Sequence, residues 1–347
     1  MGKHLAEAPL EPDLPIIDSH HHLFDHAQDH SIGSAARNRF LIDEYCEFID
    51  DGHNVIASVF CQTTVKTMQR AYGPKELRPV GEVEFANGQA AMAAGGAYGP
   101  CLVAAAIVGF ADLSLGDAVR PVLEASIEAA PHRYRGIRDH RLWDEDPTVL
   151  GARYNTKPHD YLDDGFRAGF KHLGQLGLTF DAFVLAPQLA DVVDLAGRFP
   201  DTQIVLNHFG GPVGVGRHKG RMAEEFPAWR AHMEEISRYG NVVVKLGGLG
   251  TFLSGSPSYN VDPPASSEQL AEEFRPYTET TVELFGADRC MFESNLPTDR
   301  TGPFGNVCNA YKRLTAGCSR EEREMIFAGT AKRVYRIDLP DDWPSPA

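Results

Sequence analysis

Eight short apolar runs recur along this chain, and each is followed by a stretch that has the pattern of an amphipathic helix. The runs cover residues 15–20, 54–60, 101–108, 134–138, 178–185, 203–208, 241–246 and 290–294. Near-continuous apolar runs of this length favour parallel strands that are buried on both faces. The helix-like stretches cover residues 41–51, 82–94, 117–130, 160–176, 187–199, 222–239, 267–285 and 307–316, and a last one covers 320–335. Because strand and helix alternate eight times, the sequence predicts an α/β fold, a single (β/α)8 TIM barrel.

This pattern occupies nearly the whole chain. We expect the barrel core at about residues 15–337 and one domain over residues 1–347. The longest interruptions are residues 31–40, 214–221 and 250–265, and each follows a predicted strand. Insertions at these places would extend the C-terminal mouth of the barrel, where barrel enzymes carry their active sites.

The charge balance excludes one class of partner. The chain has 33 Lys+Arg against 48 Asp+Glu, a formal net charge of −15, whereas a general nucleic-acid binder needs a basic face. The chain has no apolar run of about 18 residues, so we expect no membrane span. There is no secretory leader pattern and no CxxC pair among the six cysteines, which indicates reduced thiols in a cytoplasmic protein.

The strongest local signal is a histidine cluster at the end of the first predicted strand. Side chains alternate along a strand, so His20 and His22 point the same way, with Asp18 behind them. Two imidazoles on one face can bind a divalent metal or orient a substrate carbonyl. The cluster therefore predicts a catalytic or metal-binding role for both histidines.

Polar residues also stand at the ends of three later strands. His208 ends the sixth strand, where it could bind metal, polarise a carbonyl or move a proton. Arg138 and His140 alternate at the end of the fourth strand, and Lys245 lies among valines of the seventh. We expect these three to bind substrate, with Arg138 gripping a carboxylate in a bidentate fork. The predicted partner is a small, anionic molecule.

The histidine cluster and its surroundings resemble the amidohydrolase superfamily, and within it the branch that includes sugar-acid lactonases and pyrone-dicarboxylate lactonase. The resemblance starts at IIDSHHHLFD, residues 16–25, and continues in order to the end of the chain. Its later segments are residues 135–138, 178–181, 187–189, 206–212, 244–249, 291–297 and 331–335. The resemblance implies a TIM-barrel hydrolase with its site at the mouth.

Two departures from the family pattern affect the mechanism. The family's eighth strand usually ends in an Asp that acts as metal ligand and general base, and here Asn295 holds that place in the sequence MFESNLP. A neutral amide cannot take a proton near pH 7. The fifth strand also lacks the expected His ligand, which argues against a two-metal site. One divalent metal, Zn2+ or Mn2+, on His20, His22 and His208 remains open, and so does a metal-free site.

The missing base leaves several carboxylates as alternatives. The candidates are Asp18, Asp139, Glu293 and Asp299. Asp299 follows the eighth strand closely enough to reach the mouth, whereas Glu293 is expected lower in the barrel. We therefore predict a catalytic set of His20, His22, His208, Asn295 and Asp299.

The resemblance favours a hydrolase that opens a lactone of a small organic or sugar acid. The alternative is a lyase, either a decarboxylase or a hydratase, that acts on an aromatic-derived carboxylic acid. A third alternative is a barrel that binds a ligand without turnover, because Asn295 removes the usual base. The sequence also leaves room for a homo-oligomer.

Overall fold

A computed structural model of the protein describes residues 7–26, 38–63, 68–154 and 156–340. Eight parallel strands form one sheet whose spatial order follows the order of the chain. They are β1 (Ile16–His21), β2 (Val55–Cys61), β3 (Leu102–Gly109), β4 (Tyr134–Ile137), β5 (Thr179–Ala182), β6 (Ile204–Leu206), β7 (Val242–Leu246) and β8 (Cys290–Phe292). All eight predicted strands are confirmed.

Contacts between the first and last strands close the sheet into a barrel. The backbone N–H of His22 donates to the Leu296 carbonyl at 2.8 Å, and that of Asn295 donates to the His20 carbonyl at 2.9 Å. His21 and Leu296 form a parallel bridge. The predicted TIM barrel is thus confirmed, and the closure brings the end of β1 directly against the residues that follow β8.

Helices follow the strands in the predicted alternation. They are α1 (Ile42–Ile49), α2 (Val80–Ala94), α3 (Arg120–Ala129), α4 (Asp164–Gln175), α5 (Leu189–Arg198), α6 (Met222–Ser237), α7 (Ser267–Phe285) and α8 (Phe304–Leu314). A short helical segment, Pro147–Tyr154, precedes α4. The closing helix consists of the α-helical segment Arg320–Glu324, the π-helical segment Met325–Gly329 and the α-helical segment Thr330–Val334. Local sequence sets some of these boundaries. The Ser266 hydroxyl, for example, accepts from the Gln269 N–H at the start of α7.

Two apolar layers hold the barrel together. Most buried residues lie between the sheet and the surrounding helices. A second cluster consists of alternate strand residues, among them Ile17, Val59, Val205 and Met291. Tyr335, at the end of the closing helix, packs in this same cluster. The interior is therefore a filled core, and the polar side chains above it stand out as candidates for chemistry.

The predicted mouth insertions join one another. The Gly214 N–H in the loop after β6 donates to the Leu253 carbonyl in the loop after β7 at 2.8 Å, and the Arg300 N–H after β8 donates to the Gly250 carbonyl at 2.9 Å. In the first insertion, residues 31–37 lie outside the described residues, and Asn38–Phe40 pairs with Phe24–His26 as an antiparallel ribbon that the sequence analysis did not predict. Within the described ranges, every helix is too short or too polar to cross a membrane.

Candidate active site

His20 lies at the centre of the cluster at the barrel mouth, and it is fully buried. An Arg138 guanidinium N–H donates to its Nε2 at 3.1 Å, and the Lys245 ammonium lies 3.3 Å from its Nδ1. Burial, together with the positive charges of Lys245 and Arg138, holds the pKa of His20 well below its usual range. Arg138 and Lys245 can only donate, and a neutral imidazole has one nitrogen whose lone pair can accept. Only one of these two contacts can therefore be a hydrogen bond at a time.

His208 and Glu293 form a close pair beside His20. Nδ1 of His208 lies 2.6 Å from Oε1 of Glu293, and Oε2 of the same carboxylate lies 3.1 Å from Nδ1 of His20. Glu293 is fully buried and His208 nearly so. In the neutral ring the Nδ1–H donates to the carboxylate, which leaves Nε2 of His208 as a proton acceptor. Glu293 therefore lies level with the histidines, not below them as the sequence analysis expected.

Two glycines after β7 make room for this pair. A Cβ on Gly247 would lie 2.2 Å from Cγ of Glu293, and a Cβ on Gly248 would lie 2.4 Å from the imidazole of His208. Gly248 also has φ +75°, a conformation that L side chains rarely adopt. The Gly247–Gly248 step is thus required by the close approach of the pair.

Backbone strain is concentrated at the same place. His208 has φ +54° and Asn295 has φ +52°, in the left-handed region that non-glycine residues seldom occupy. Both residues follow the ends of barrel strands. Strained positions of this kind persist where the surrounding structure fixes them, and they cluster at functional sites.

His22 is held by one contact that fixes its tautomer. Its Nδ1 lies 2.9 Å from the Cys61 carbonyl, which can only accept, so the ring proton is on Nδ1. Burial, with the charge of Arg138, holds the pKa of His22 well below its usual range. His22 is therefore neutral, and its unprotonated Nε2 has no partner among the residues described here.

Asn295 and Asp299 form a second pair at the mouth. The Asn295 amide donates from Nδ2 to Oδ1 of Asp299 at 2.6 Å, and the Gly250 N–H donates to Oδ2 at 3.0 Å. Burial of the Asp299 carboxyl raises its pKa to about 8. Both carboxyl oxygens are thus occupied by donors. Oδ1 of Asn295 is buried and has no hydrogen-bond partner among the described residues.

The predicted substrate anchor Arg138 is largely engaged inside the protein. Besides His20, it donates to the Gln62 carbonyl, and its guanidinium carbon lies 5.5 Å from the centre of the Phe183 ring. Nε is buried without a partner in the described part of the chain. Two of the five guanidinium N–H groups are thus engaged inside the protein, and the bidentate grip on a substrate carboxylate stays a prediction. His140 is half-buried, and its Nδ1 lies 3.0 Å from the Gln62 side-chain amide.

Lys245 is placed deeper than predicted. Its ammonium is fully buried and donates to Oδ2 of Asp181 at 2.8 Å. Burial alone would lower the pKa of Lys245, but the charges of Asp181 and its neighbours, together with the Asp181 hydrogen bond, outweigh burial and raise that pKa. The side chain is therefore part of an internal ion pair, and its binding of a substrate anion stays a prediction.

The other two candidate bases are structural. Asp18 accepts from the backbone and hydroxyl of Ser294 at 2.8 and 2.6 Å and from the Tyr45 hydroxyl at 3.0 Å. Burial raises its pKa to about 6, although these hydrogen bonds oppose the shift. Asp139 is paired with Arg141 at 2.6 Å. Asp18 thus ties β1 to β8, and neither carboxylate joins the histidine cluster.

The described residues include a group that can hold one divalent metal. Ligand atoms of His20, His208 and Glu293 all lie within 4.8 Å of one another. Two imidazoles and a carboxylate form a ligand set typical of catalytic zinc sites. Oε2 of Glu293 is buried without a hydrogen bond in the described chain, as expected for an atom that is available to a cation. The sequence pattern predicts His22 as the third ligand, whereas the structure groups Glu293 with His20 and His208.

Asp181 and Cys61 were missed by the sequence analysis. Asp181 stands in a buried strand, Thr179–Ala182, just as Lys245 stands in another. Opposite charges in two buried strands of one barrel predict an ion pair, because an unpaired buried charge is costly. That signal could have identified Asp181. Cys61 is an apolar-looking strand residue, and nothing in the sequence marks its sulfur as a neighbour of Lys245.

An eight-stranded parallel barrel with imidazoles and carboxylates gathered at its C-terminal mouth defines a TIM-barrel enzyme. The amidohydrolase family model matches residues 17–337, and the chain belongs to this family. It is a hydrolase, as the resemblance implied.

Two relatives match by sequence. The uncharacterized protein y4mH of Sinorhizobium fredii is 31% identical over 340 residues, which cover 94% of this chain and 99% of that protein. The L-fucono-1,5-lactonase of Burkholderia ambifaria is 30% identical over 248 residues, which cover 68% of this chain and 72% of that enzyme.

Solved structures share the fold. An amidohydrolase from Burkholderia multivorans with bound zinc has a TM-score of 0.68 at 23% identity, and the match covers 93% of this chain and 99% of that one. The 5-carboxyvanillate decarboxylase of Sphingomonas paucimobilis has a TM-score of 0.55 at 13% identity, with 94% and 100% covered. At these identities the likeness shows the barrel architecture alone.

Proposed function

We propose that this hydrolase opens a lactone, a cyclic ester of a small organic or sugar acid. The observation that carries the proposal is the buried His208–Glu293 pair at 2.6 Å, which supplies a proton acceptor where Asn295 cannot. The sequence relationship to an L-fucono-1,5-lactonase supports the choice of a cyclic ester.

In this proposal each group has one role. Nε2 of His208 takes the proton of the attacking water, and Glu293 stabilises the imidazolium that forms. Oδ1 of Asn295 accepts a hydrogen bond from that water or from a substrate hydroxyl. The free Nε–H of Arg138 donates to the oxyanion that develops on the ring carbonyl.

His20 and His22 are neutral acceptors beside this pair. A divalent metal, when bound on His20, His208 and Glu293, would polarise the ester carbonyl and lower the pKa of a bound water. It would then replace the His208–Glu293 base, because an imidazole that ligates a metal has no lone pair left for a proton. The chain's own residues orient the ester in either state, because the Arg138 and Asn295 contacts do not depend on the ion.

The charge balance of the site determines how strongly it can favour the predicted anionic substrate. Lys245 and Arg138 are offset by Asp181 and Glu293, so the deep site carries no net excess of positive charge. The Arg138 guanidinium, whose Nε–H has no partner in the described part of the chain, is left to recognise a substrate oxygen. We therefore expect lactones with and without a free carboxylate to differ modestly in KM, by less than about tenfold.

Turnover of a panel of five- and six-membered aldonolactones, followed by acid release with a pH indicator, tests this function. We expect hydrolysis of at least one lactone and loss of it in His208→Ala. The lyase alternative draws on a decarboxylase that shares the barrel. Carbon dioxide release from aromatic acids, or their hydration, with no lactone hydrolysed would replace our proposal by that one.

A further inference from the structure

Two groups of ligand-type atoms share His20. The outer one is the His20–His208–Glu293 group described above. The inner one consists of His20, Cys61 and Asp181, whose ligand atoms also lie within 4.8 Å of one another and are fully buried. Nitrogen, sulfur and carboxylate oxygen are the three ligand types that zinc binds in proteins. By its donors alone, the inner group resembles a metal site.

The Lys245 ammonium stands among these three residues. Nζ lies 2.8 Å from Oδ2 of Asp181, 3.3 Å from Nδ1 of His20 and 3.5 Å from Sγ of Cys61. Lys245, on β7, thus places its positive charge between His20 on β1, Cys61 on β2 and Asp181 on β5.

The position of this ammonium is fixed by a buried network. Asp181 accepts from the Tyr335 hydroxyl at 3.0 Å and from the Asn207 side-chain amide at 3.0 Å, in addition to Lys245. Tyr335 belongs to the end of the chain that closes the barrel. Because three donors fix the Asp181 carboxylate, they also fix the position of the ammonium that pairs with it. Either charge without its partner would be strongly unfavourable at this depth.

We propose that Lys245 is a resident cation that fills the inner group, so that this barrel binds at most one divalent ion, at the outer group. Removing the ammonium would then let His20, Cys61 and Asp181 take an ion with a thiolate ligand. That ion would compete with one at the outer group, because both groups use the single lone pair of His20. The proposal concerns ion binding and does not depend on which substrate the enzyme hydrolyses.

Cobalt(II) is a suitable probe, because a Co2+–thiolate bond gives a near-ultraviolet charge-transfer band that histidine and carboxylate ligands do not give. Purified protein, freed of metal with a chelator, is titrated with Co2+, and bound ion per chain is counted by equilibrium dialysis. For the wild-type protein we expect one ion at most and no thiolate band. For Lys245→Ala we expect a bound ion that gives the band, and for Lys245→Ala/Cys61→Ser the band should be lost.

Two further variants serve as controls. Lys312→Ala removes another buried lysine, far along the chain on α8, and should bind no further ion. Lys245→Ser gives a second variant without the ammonium if Lys245→Ala folds poorly, and Co2+ should raise its Tm. A thiolate band in the wild-type protein, or folded Lys245 variants whose bound Co2+ gives no thiolate band, would overturn the proposal.

Discussion

Nδ1 of His208 and Oε1 of Glu293 lie 2.6 Å apart at the mouth of the barrel, and both side chains are buried. The carboxylate comes from the residue that is two positions before Asn295, directly after the end of β8. An uncharged amide at position 295 is thus accompanied by a carboxylate at 293 that reaches an imidazole. This relationship explains how the site can accept a proton without an Asp at the end of β8.

Gly248→Ala should damage the site more than the fold. The added Cβ would meet the His208 ring at 2.4 Å and force it away from Glu293. We expect kcat/KM to fall by about a hundredfold or more, as when a catalytic group is displaced by about an ångström. Gly220→Ala is the matched control, because it has φ +76° and open space around its Cβ. Equal losses of activity in the two variants would show that backbone strain alone is responsible.

Asn295→Ala should lower kcat/KM by an amount worth about 1–3 kcal/mol, the cost of one buried hydrogen bond to water or substrate.

Asn295→Asp should not restore the usual base. It would place a second carboxylate beside Asp299, where the amide now lies at 2.6 Å, and the two acids would share a proton. Thr298→Ala, on an exposed residue of the same turn, should retain wild-type activity. An Asn295→Asp enzyme faster than the wild type at neutral pH would refute this assignment.

The pH dependence of stability should report Asp299. Burial raises the pKa of its carboxyl to about 8, from an ordinary value of 3.8, so between these values the native chain holds a proton that the unfolded chain has lost. The contribution of this group to the free energy of unfolding is complete below 3.8 and is lost as the pH rises to about 8. We expect wild type to lose on the order of 1–2 kcal/mol more than Asp299→Asn between about pH 5 and pH 8.

Urea unfolding of the two proteins across this range measures that difference directly. Other buried carboxyls, such as Asp18 with a pKa of about 6, titrate in both proteins and cancel. Parallel stability profiles for wild type and Asp299→Asn would show that Asp299 has no raised pKa in the native state.

Asp181→Asn should strongly destabilise the fold, because it leaves the Lys245 ammonium buried without its carboxylate. Breaking a buried ion pair in this way costs about 3–5 kcal/mol. The double variant Asp181→Asn/Lys245→Met removes both charges and should recover much of that loss. Chemical denaturation of the single and double variants gives the comparison. If the double variant loses as much free energy of unfolding as Asp181→Asn and Lys245→Met lose together, the two charges do not act as a pair.

The alternation of apolar runs was enough to predict all eight strands and the helices that follow them. Strands such as Val242–Leu246 are buried on both faces, so a continuous apolar run in the sequence is enough to recognise them. Strand ends could also be placed, which put His20, His208 and Asn295 at one mouth. The ribbon of Phe24–His26 with Asn38–Phe40 was missed, because three-residue strands have too little periodicity to be detected.

The roles of charged side chains were harder to predict than their positions. Lys245 and Arg138 were expected to bind substrate, but both are bound by partners that are distant in sequence, Asp181 and the Gln62 carbonyl. Such pairings depend on how deep a side chain lies and on which strands face each other across the barrel. Period-two alternation gives the face of a strand but not the depth at which a side chain ends.

The catalytic efficiency of Glu293→Gln tests the central claim most directly. The amide still fills the space and can accept a hydrogen bond from His208, but it carries no charge to stabilise the imidazolium. On a lactone that the wild type hydrolyses, we predict that kcat/KM falls by about 10²–10⁴-fold, with Tm and bound metal measured on the same samples. Glu279→Gln, on an exposed residue of α7, should show no such loss. A folded Glu293→Gln enzyme with wild-type kcat/KM would contradict the account.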